Sequence, residues 1–482
     1  MIKALFVRPQ REARFFALSL PPLGLMYIAS YLEKHAPDTV QTKILDLSIE
    51  RNGKAAMGKA LDGFRPDFVG LSAMTPEAPD TGYFAKWFKE KFPRALVAVG
   101  GPHPNASPEM ALDAKGVDLL VLGEGEKTTL RLMERLDAKE DFHDLPGLAY
   151  KNDEGEIRVN PAADPIQNPD ELPFPAWDRV PLLNYCSWRV VNPSISRHYK
   201  RFTTIFTSRS CPYGCTYCHN IFGTKYRPRS ADNVFAEMRA LEERYGIREF
   251  HIVDDNFNLN KNRVVELCDR IAEERPGYRM AFVSGLRGDI LTGELIDKLK
   301  AAGTYQISFG IESASERIQK LIKRNGKIPE LTKNIDYARK AGIVTHGFFM
   351  FGFPTESAEE VKATAELALS LNLVTAAFHT LAPYPGTPMF EELMKKEPGR
   401  KIHLEEMYFK SSTMNLSDVP TDRLHRMIRE LFRAFYRNPR RLLSIWTCAP
   451  RKIDVIISTL FHLVLDPRLM RMKKWLTGKT HY

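Results

Sequence analysis

Cys211, Cys215 and Cys218 stand in the run SRSCPYGCTYCHN, a C-x3-C-x2-C spacing directly after the strand-like stretch 203–207 (TTIFT). Three thiolates from one short loop can hold three irons of a cubane cluster. Iron–sulfur clusters are held by cysteine thiolates, and a complete protein set has four. A set of three leaves one iron with a coordination site for a substrate or a cofactor. Zinc is the rival metal. A closed structural zinc site needs four ligands, and His219 is the candidate for the fourth. The remaining cysteines, Cys186, Cys268 and Cys448, are isolated and read as small buried hydrophobes.

The elements around the loop repeat. From about residue 200 to 385, strand, loop and helix alternate six times, with strands expected at 203–207, 249–253, 280–284, 306–311, 344–351 and 376–381. Helices are expected at 231–245, 262–274, 294–302, 331–341 and 358–371. In barrels of such units the chemistry gathers at the carboxyl ends of the strands. Those ends carry Asp254, Asp255 and Asn256, then Arg287, then Glu312 and Ser313, then Gly352 and Pro354, and finally the loop APYPGTP. Adjacent side chains on a strand point opposite ways, so one of Asp254 and Asp255 is expected to reach a ligand. Arg287 is a planar donor suited to a carboxylate; the alternative is an ion pair with Glu312 across the barrel.

Residues 1–140 also alternate, with strands expected at 2–8, 42–46, 67–72, 96–99 and 118–122 and helices at 24–35, 83–92 and from about 126. Short apolar runs between helical patterns imply a parallel, doubly wound sheet. Ligands of such sheets bind beyond the carboxyl ends of the strands. The loops there are Asp46-Leu-Ser, Ser72 to Thr75, Gly100-Gly101-Pro-His103 and Gly123-Glu124-Gly-Glu126. Their glycines allow a bulky planar ligand to approach, and Ser72 and Thr75 offer hydrogen bonds. No G-x-G-x-x-G follows the first strand, which argues against a dinucleotide.

The cysteine loop resembles the signature of the radical S-adenosylmethionine superfamily, and Tyr217, just before the last cysteine, fits that pattern. The resemblance implies that the open iron is chelated by the amino and carboxylate groups of S-adenosylmethionine, whose sulfonium is cleaved to a 5'-deoxyadenosyl radical. It places Tyr217 near the adenine, or in packing. Asp254 or Asp255 would meet the ammonium, Arg287 a carboxylate, and Glu312 and Ser313 the ribose, with Gly352 beside them. The six repeats resemble the partial (βα)6 barrel of that superfamily. The runs PPLGLMYIASYLE, VAVGGPHPNASPE and LGEGE look like the cobalamin-binding domain that precedes many such barrels. That likeness implies cobalamin on Ser72, Thr75, Gly100, Gly101, Gly123 and Glu124. The D-x-H-x-x-G loop of histidine-ligating corrinoid domains is missing from PQREARF, so a lower face without histidine is expected, with His103 a nucleotide-tail or packing residue.

The expected architecture is therefore α/β: a doubly wound Rossmann-like parallel sheet (1–145), a proline-rich linker (146–198), a partial (βα)6 TIM-like barrel (199–390) and a helical basic tail (391–482). The implied activity is cobalamin-dependent functionalisation, foremost C-methylation, of an unactivated carbon in a small-molecule or lipid substrate. A [4Fe–4S] cluster, S-adenosylmethionine and cobalamin are the cofactors, and a flavodoxin or ferredoxin the electron donor. Radical cyclisation or oxidative rearrangement, as in anaerobic porphyrin cyclases, is the rival. RNA methylthiotransferases need a second cluster, and no cysteine precedes Cys186.

The net charge of +10 belongs to the tail: residues 421–482 hold 14 Lys and Arg against 4 Asp and Glu. The body is balanced, so no nucleic-acid partner is expected. The N-terminus reads as a strand and not a secretion signal, which points to the cytoplasm. Residues 423–437 form a basic amphipathic helix, and 453–465 is apolar but too short to span a bilayer. Peripheral contact with anionic lipid and packing on the barrel are the two readings of this tail.

Overall fold

The computed structural model describes residues 1–10, 20–50, 52–186, 198–404, 407, 414–449 and 451–452. The residues after the first strand from 11 to 19, and the apolar run 453–465, lie outside them.

The first sheet has seven strands: β1 (Ile2–Arg8), β2 (Val40–Asp46), β3 (Phe68–Ser72), β4 (Leu96–Gly100), β5 (Leu119–Val121), β6 (Leu148–Lys151) and β7 (Ile157–Val159). Their order is β2-β1-β3-β4-β5-β6-β7, with the first five parallel. Helices α1 (Leu23–His35), α2 (Gly53–Leu61), α3 (Ala78–Lys91), α4 (Pro102–Ala106), α5 (Pro108–Leu112) and α6 (Gly125–Ala138) cover it. Alternation along β1 feeds both faces. Ala4 and Phe6 join Leu32, Leu132 and Met133 of α1 and α6. Leu5 and Val7 join Phe84 and Phe88 of α3 on the other side. The expected boundary at residue 145 falls inside this sheet, because β6 and β7 add an antiparallel hairpin.

The proline-rich connector that follows is packed against both domains. Ile166, Leu172, Trp177, Val180 and Tyr185 enter the core of the second domain. Trp177 donates Nε1–H to Glu237 at 3.0 Å, and Tyr185 donates its hydroxyl to Asp46 at 2.7 Å.

The second sheet runs β15-β14-β13-β12-β11-β8, all parallel, and its end strands do not pair, so it is an open barrel. Its strands are β8 (Thr203–Ile205), β11 (Glu249–Ile252), β12 (Arg279–Leu286), β13 (Thr304–Glu312), β14 (Val344–Phe351) and β15 (Thr375–Thr380); the pair β9 (Ser208–Arg209) and β10 (Arg227–Pro228) brackets the cysteine loop. Helices α7 (Ala231–Tyr245), α8 (Lys261–Glu274), α9 (Gly293–Ala301), α10 (Glu316–Leu321), α11 (Ile328–Lys340) and α12 (Ala358–Ser370) wrap it. All but α11 have their starts set by side-chain caps, at Ser230, Asn260, Thr292, Ser315 and Ser357. Ile205, Phe250, Ile252, Met280, Phe282, Ile307 and Phe309 face the helices. The alternate residues face the lumen.

After α13 (Pro388–Lys396) come α14 (Thr421–Arg437) and α15 (Pro439–Cys448). The apolar stripe of α14 is used by the protein itself: Leu424, Leu431 and Phe435 are buried in the barrel core. Arg441 donates to the carbonyls of Leu369 in the last turn of α12 and of Leu371 and Leu373 just beyond it, a cation at a helix C-terminus. The packing reading of α14 therefore holds over lipid contact through that stripe. Among the described residues no helix is long and apolar enough to cross a membrane.

Candidate active site at the domain junction

The cysteine loop is fixed at both ends. Ser210 takes a left-handed φ of +73°, and its hydroxyl donates to the carbonyl of Phe222 at 2.7 Å. Thr216 N–H donates to Ile322 O at 3.0 Å, and Met389 N–H to Thr216 O at 3.0 Å. Tyr217 packs against Phe353 in an apolar cluster with Ile318 and Leu381. Cys218 keeps an exposed side chain, yet the protein around it displaces enough water, with the charges of Cys215, Asp255 and Cys211 adding to the effect, to push its thiol up to about 12. Burial likewise raises Cys215 against the pull of Arg324 and Arg287. Three crowded thiols become thiolates when metal cations supply the compensating charge. Among the described residues no three His, Cys, Asp or Glu side chains converge as they would on one ion. His219 lies beside Tyr384, with ring centroids 5.6 Å apart.

The barrel mouth sorts the remaining candidates. Asp254 is buried and accepts three hydrogen bonds at 2.6 Å, from Thr207 N–H, the Thr207 hydroxyl and the Ser208 hydroxyl. It clamps the first strand end to the second, with three of its four acceptor positions taken and the side chain buried away from the mouth. Asp255 is open to the mouth; burial by its surroundings and then the Asp254 charge push its carboxyl up to about 6. Asn256 points Nδ2 at Cys211 Sγ (4.0 Å), and its Oδ1 is buried without a protein partner. That orphaned acceptor beside the cysteines suits an ammonium donor.

Several expected contacts are corrected. Arg287 is engaged by its own loop: Nε and Nη2 donate to Asp289 at 2.9 and 2.7 Å, Nη1 donates to Arg324 O at 3.0 Å, and the guanidinium lies over Tyr213. It is not free for a substrate carboxylate, and it does not pair with Glu312. The arginine beside Glu312 is Arg324, at 3.8 Å, which also donates to Gly310 O at 2.6 Å and approaches the Tyr217 hydroxyl at 3.4 Å. Arg324 sits after α10 between two residues of positive φ, Lys323 and Asn325. Sequence reasoning passed over it because nothing in its spacing relates it to a strand end. Ser313 is fully buried against Thr364 Oγ1 (3.2 Å), so it has no path to a ribose. The Gly352 amide donates to Glu356 at 2.7 Å, and a Cβ there would meet Asn415 and Leu424 at 3.4 Å.

On the first domain, Ser72 ends β3 and Thr75 starts the next turn, close to the β1/β3 switch point where doubly wound sheets bind ligands. Gly100 ends β4. Gly101 has φ +100°, and a Cβ there would sit 3.0 Å from Ala73 O, so glycine is needed to bring these two loops together. Gly123 has φ +72° with open space where a Cβ would be. His103 is buried, its Nδ1 has no protein partner, and burial, then the charge of His219 opposite, pushes it down to about 4. Glu124 is a correction: its carboxylate accepts from Arg209 (2.9 Å), Arg227 and Ile166 N–H (3.0 Å), so it docks the domains together and is not open to a cofactor. Burial would raise this carboxyl, and the two guanidiniums hold it below the usual range. Across the junction Gly386 abuts Ala106, where a Cβ would come within 2.7 Å. The strand-end loops of both sheets thus face one another, as a site shared by two cofactors requires.

Comparison with known proteins bears on this geometry. The model for the radical SAM superfamily matches residues 205–368, and that for the B12 binding domain matches residues 15–133. An uncharacterized methyltransferase of Pyrococcus horikoshii is 31% identical over 92% of this chain and 94% of its own length. The cytidylyl-2-hydroxyethylphosphonate methyltransferase of Streptomyces wedmorensis is 30% identical over 86% of each chain. Among solved structures, the radical S-adenosylmethionine methyltransferase TsrM of Kitasatospora setae, with cobalamin and a [4Fe–4S] cluster bound, shares the fold at a TM-score of 0.68 and 21% identity, covering 83% of this chain and 76% of that one. The cobalamin-dependent enzyme OxsB does so at 0.73 and 17%, covering 96% and 75%. The chain belongs to the radical SAM superfamily, as an enzyme of the cobalamin-dependent methyltransferase group, and its cofactors are a [4Fe–4S] cluster, S-adenosylmethionine and cobalamin.

Proposed function

We propose that this enzyme transfers a methyl group to a carbon atom of a polar small molecule held in the barrel lumen. When bound, the cluster and S-adenosylmethionine supply a hydrogen-abstracting radical, and cobalamin supplies the methyl group. Cys211, Cys215 and Cys218 hold the cluster. Asp255 and the orphaned Asn256 Oδ1 receive the ammonium of S-adenosylmethionine, and Arg324 receives its carboxylate, while Tyr217 braces Arg324 from behind. Ser72, Thr75, Gly100, Gly101 and Gly123 line the cobalamin face. A flavodoxin or ferredoxin is the electron donor.

The observation that carries this reading is the locked juxtaposition of the two sets of strand-end loops, with Glu124 bound to Arg209 on one side and Gly386 seated on Ala106 on the other. The choice of a polar substrate over a wholly apolar lipid rests on the lumen. Strand register puts Thr204, His251, Gln306, Ser308 and His346 on its inner face. Thr204 Oγ1, His251 Nδ1 and Ser308 Oγ are buried there without protein partners. Buried polar groups of that kind cost stability unless something hydrogen-bonds them.

The test is anaerobic turnover with S-adenosylmethionine bearing a 13C-methyl group, using as trial substrates a nucleotide-activated phosphonate, a hopanoid and a magnesium porphyrin. Labelled methyl on carbon of the polar substrate is expected. Deoxyadenosine formed with an unlabelled, cyclised or rearranged product would replace methylation by the rival chemistry.

A further inference from the structure

Four charged side chains meet between the first sheet and the cysteine loop, all of them buried: Glu124 and Glu126 from the first domain, Arg209 and Arg227 from the second. Arg209 spans both acids, with Nη1 to Glu124 at 2.9 Å and Nη2 to Glu126 at 2.5 Å. Its guanidinium lies between the rings of Tyr27 and Phe222, each 5.4 Å away. Arg227 binds Glu124 with Nη2 and reaches past it to the Ser210 hydroxyl (3.1 Å) and the Phe222 carbonyl (2.9 Å).

Sequence positions make this cluster more than an interdomain staple. Glu124 follows Gly123 in the open turn of the first domain, Ser210 directly precedes Cys211, and Phe222 lies just beyond Cys218. A single path of contacts therefore runs from Gly123 through Glu124 and Arg227 to Ser210 and Cys211. Ser210 is the residue of sparsely populated backbone conformation on this path. A non-glycine residue at φ +73° persists only where its surroundings over-determine it. Here they are the bond to Phe222 O and the guanidinium of Arg227. The Arg227 contact is one of the two that hold Ser210 in this conformation, directly before Cys211.

We propose that Glu124, Arg209 and Arg227 are positioning residues that couple cobalamin occupancy of the Gly123 turn to the geometry of the cysteine loop. This inference rests on the cobalamin placement proposed above. A ligand that orders the Gly123 turn holds Glu124 toward the arginines and so holds Ser210 in its left-handed state. Coupling is reciprocal, so an assembled cluster must tighten cobalamin binding by the same factor.

The test uses the full-length, anaerobically reconstituted protein. Binding of hydroxocobalamin is measured first, by its visible absorption after gel filtration. The rate at which bathophenanthroline disulfonate removes iron is then measured with and without hydroxocobalamin, for the wild type and for Glu124→Gln. About fivefold slower iron release is expected with hydroxocobalamin in the wild type, at the lower end of usual coupling strengths, and less than about twofold in the variant. Equal protection in Glu124→Gln would mean that the corrin merely covers the cluster, and would overturn the inference. So would bound hydroxocobalamin that gives the wild type no protection. Failure of hydroxocobalamin to bind at all would sink the cobalamin placement itself and this inference with it. If Glu124→Gln does not fold, the wild type still decides: cluster-free protein should bind hydroxocobalamin about fivefold more weakly than the reconstituted form, and equal affinity contradicts coupling.

Discussion

Cys215→Ala is expected to lose the visible absorption of the cluster and to cut reductive cleavage of S-adenosylmethionine to background. Two thiolates cannot hold a cubane whose full protein set is four, and Cys215 lies at the centre of the loop, between Cys211 and the Thr216 bonds that tie it to Ile322 and Met389. The control is Cys268→Ala. Cys268 is buried in α8 among apolar side chains, so its truncation should cost about 1 kcal/mol of stability and leave iron content and cleavage unchanged. Iron and sulfide assays with deoxyadenosine quantification read both variants. Retained cleavage in Cys215→Ala would defeat the assignment of the loop.

The second large effect separates two neighbours. Asp254→Asn should destabilise the protein by about 3 kcal/mol, because an amide nitrogen replaces one acceptor in a buried site where three donors from Thr207 and Ser208 converge. Asp255→Asn should change stability by less than about 0.5 kcal/mol, as exposed substitutions do, while weakening S-adenosylmethionine about tenfold, or about 1.4 kcal/mol. Chemical denaturation and equilibrium binding to the reconstituted protein measure the two. A reversal, with Asp254→Asn stable and unable to bind the cofactor, would mean that the ligand-facing carboxylate has been misassigned.

Much of this scaffold can be read without coordinates, for local reasons. The helix at 231–245 appears at those limits because Ser230 caps its start and Gly246, at φ +66°, ends it. The strand at 344–351 does so because its apolar run is bounded by Gly342 and Gly352, both at positive φ. Features that depend on distant contacts were hidden. The hairpin of β6 and β7 is only seven residues of strand, and Ile157–Val159 is largely exposed, so no apolar alternation marks it. Glu124 looks like a ligand residue in a glycine-rich turn until Arg209 and Arg227, some 85 and 103 positions away, are brought against it. Arg324 gains its place beside Glu312 only once α10 folds back over the fourth strand end. Arg287 is the instructive case. Asp289, two residues on, is visible in the sequence, and a local carboxylate is a sufficient partner for a strand-end arginine.

The whole assignment depends on a cluster held by three cysteines, whose remaining iron binds S-adenosylmethionine through its amino and carboxylate groups. The most direct measurement is electron–nuclear double resonance on the reduced, reconstituted protein with S-adenosylmethionine carrying 15N at the amino position. A 15N hyperfine coupling to the cluster spin, lost in Cys215→Ala, is the result expected here. A fully formed cluster without such coupling, or zinc in place of iron on these cysteines, would contradict it.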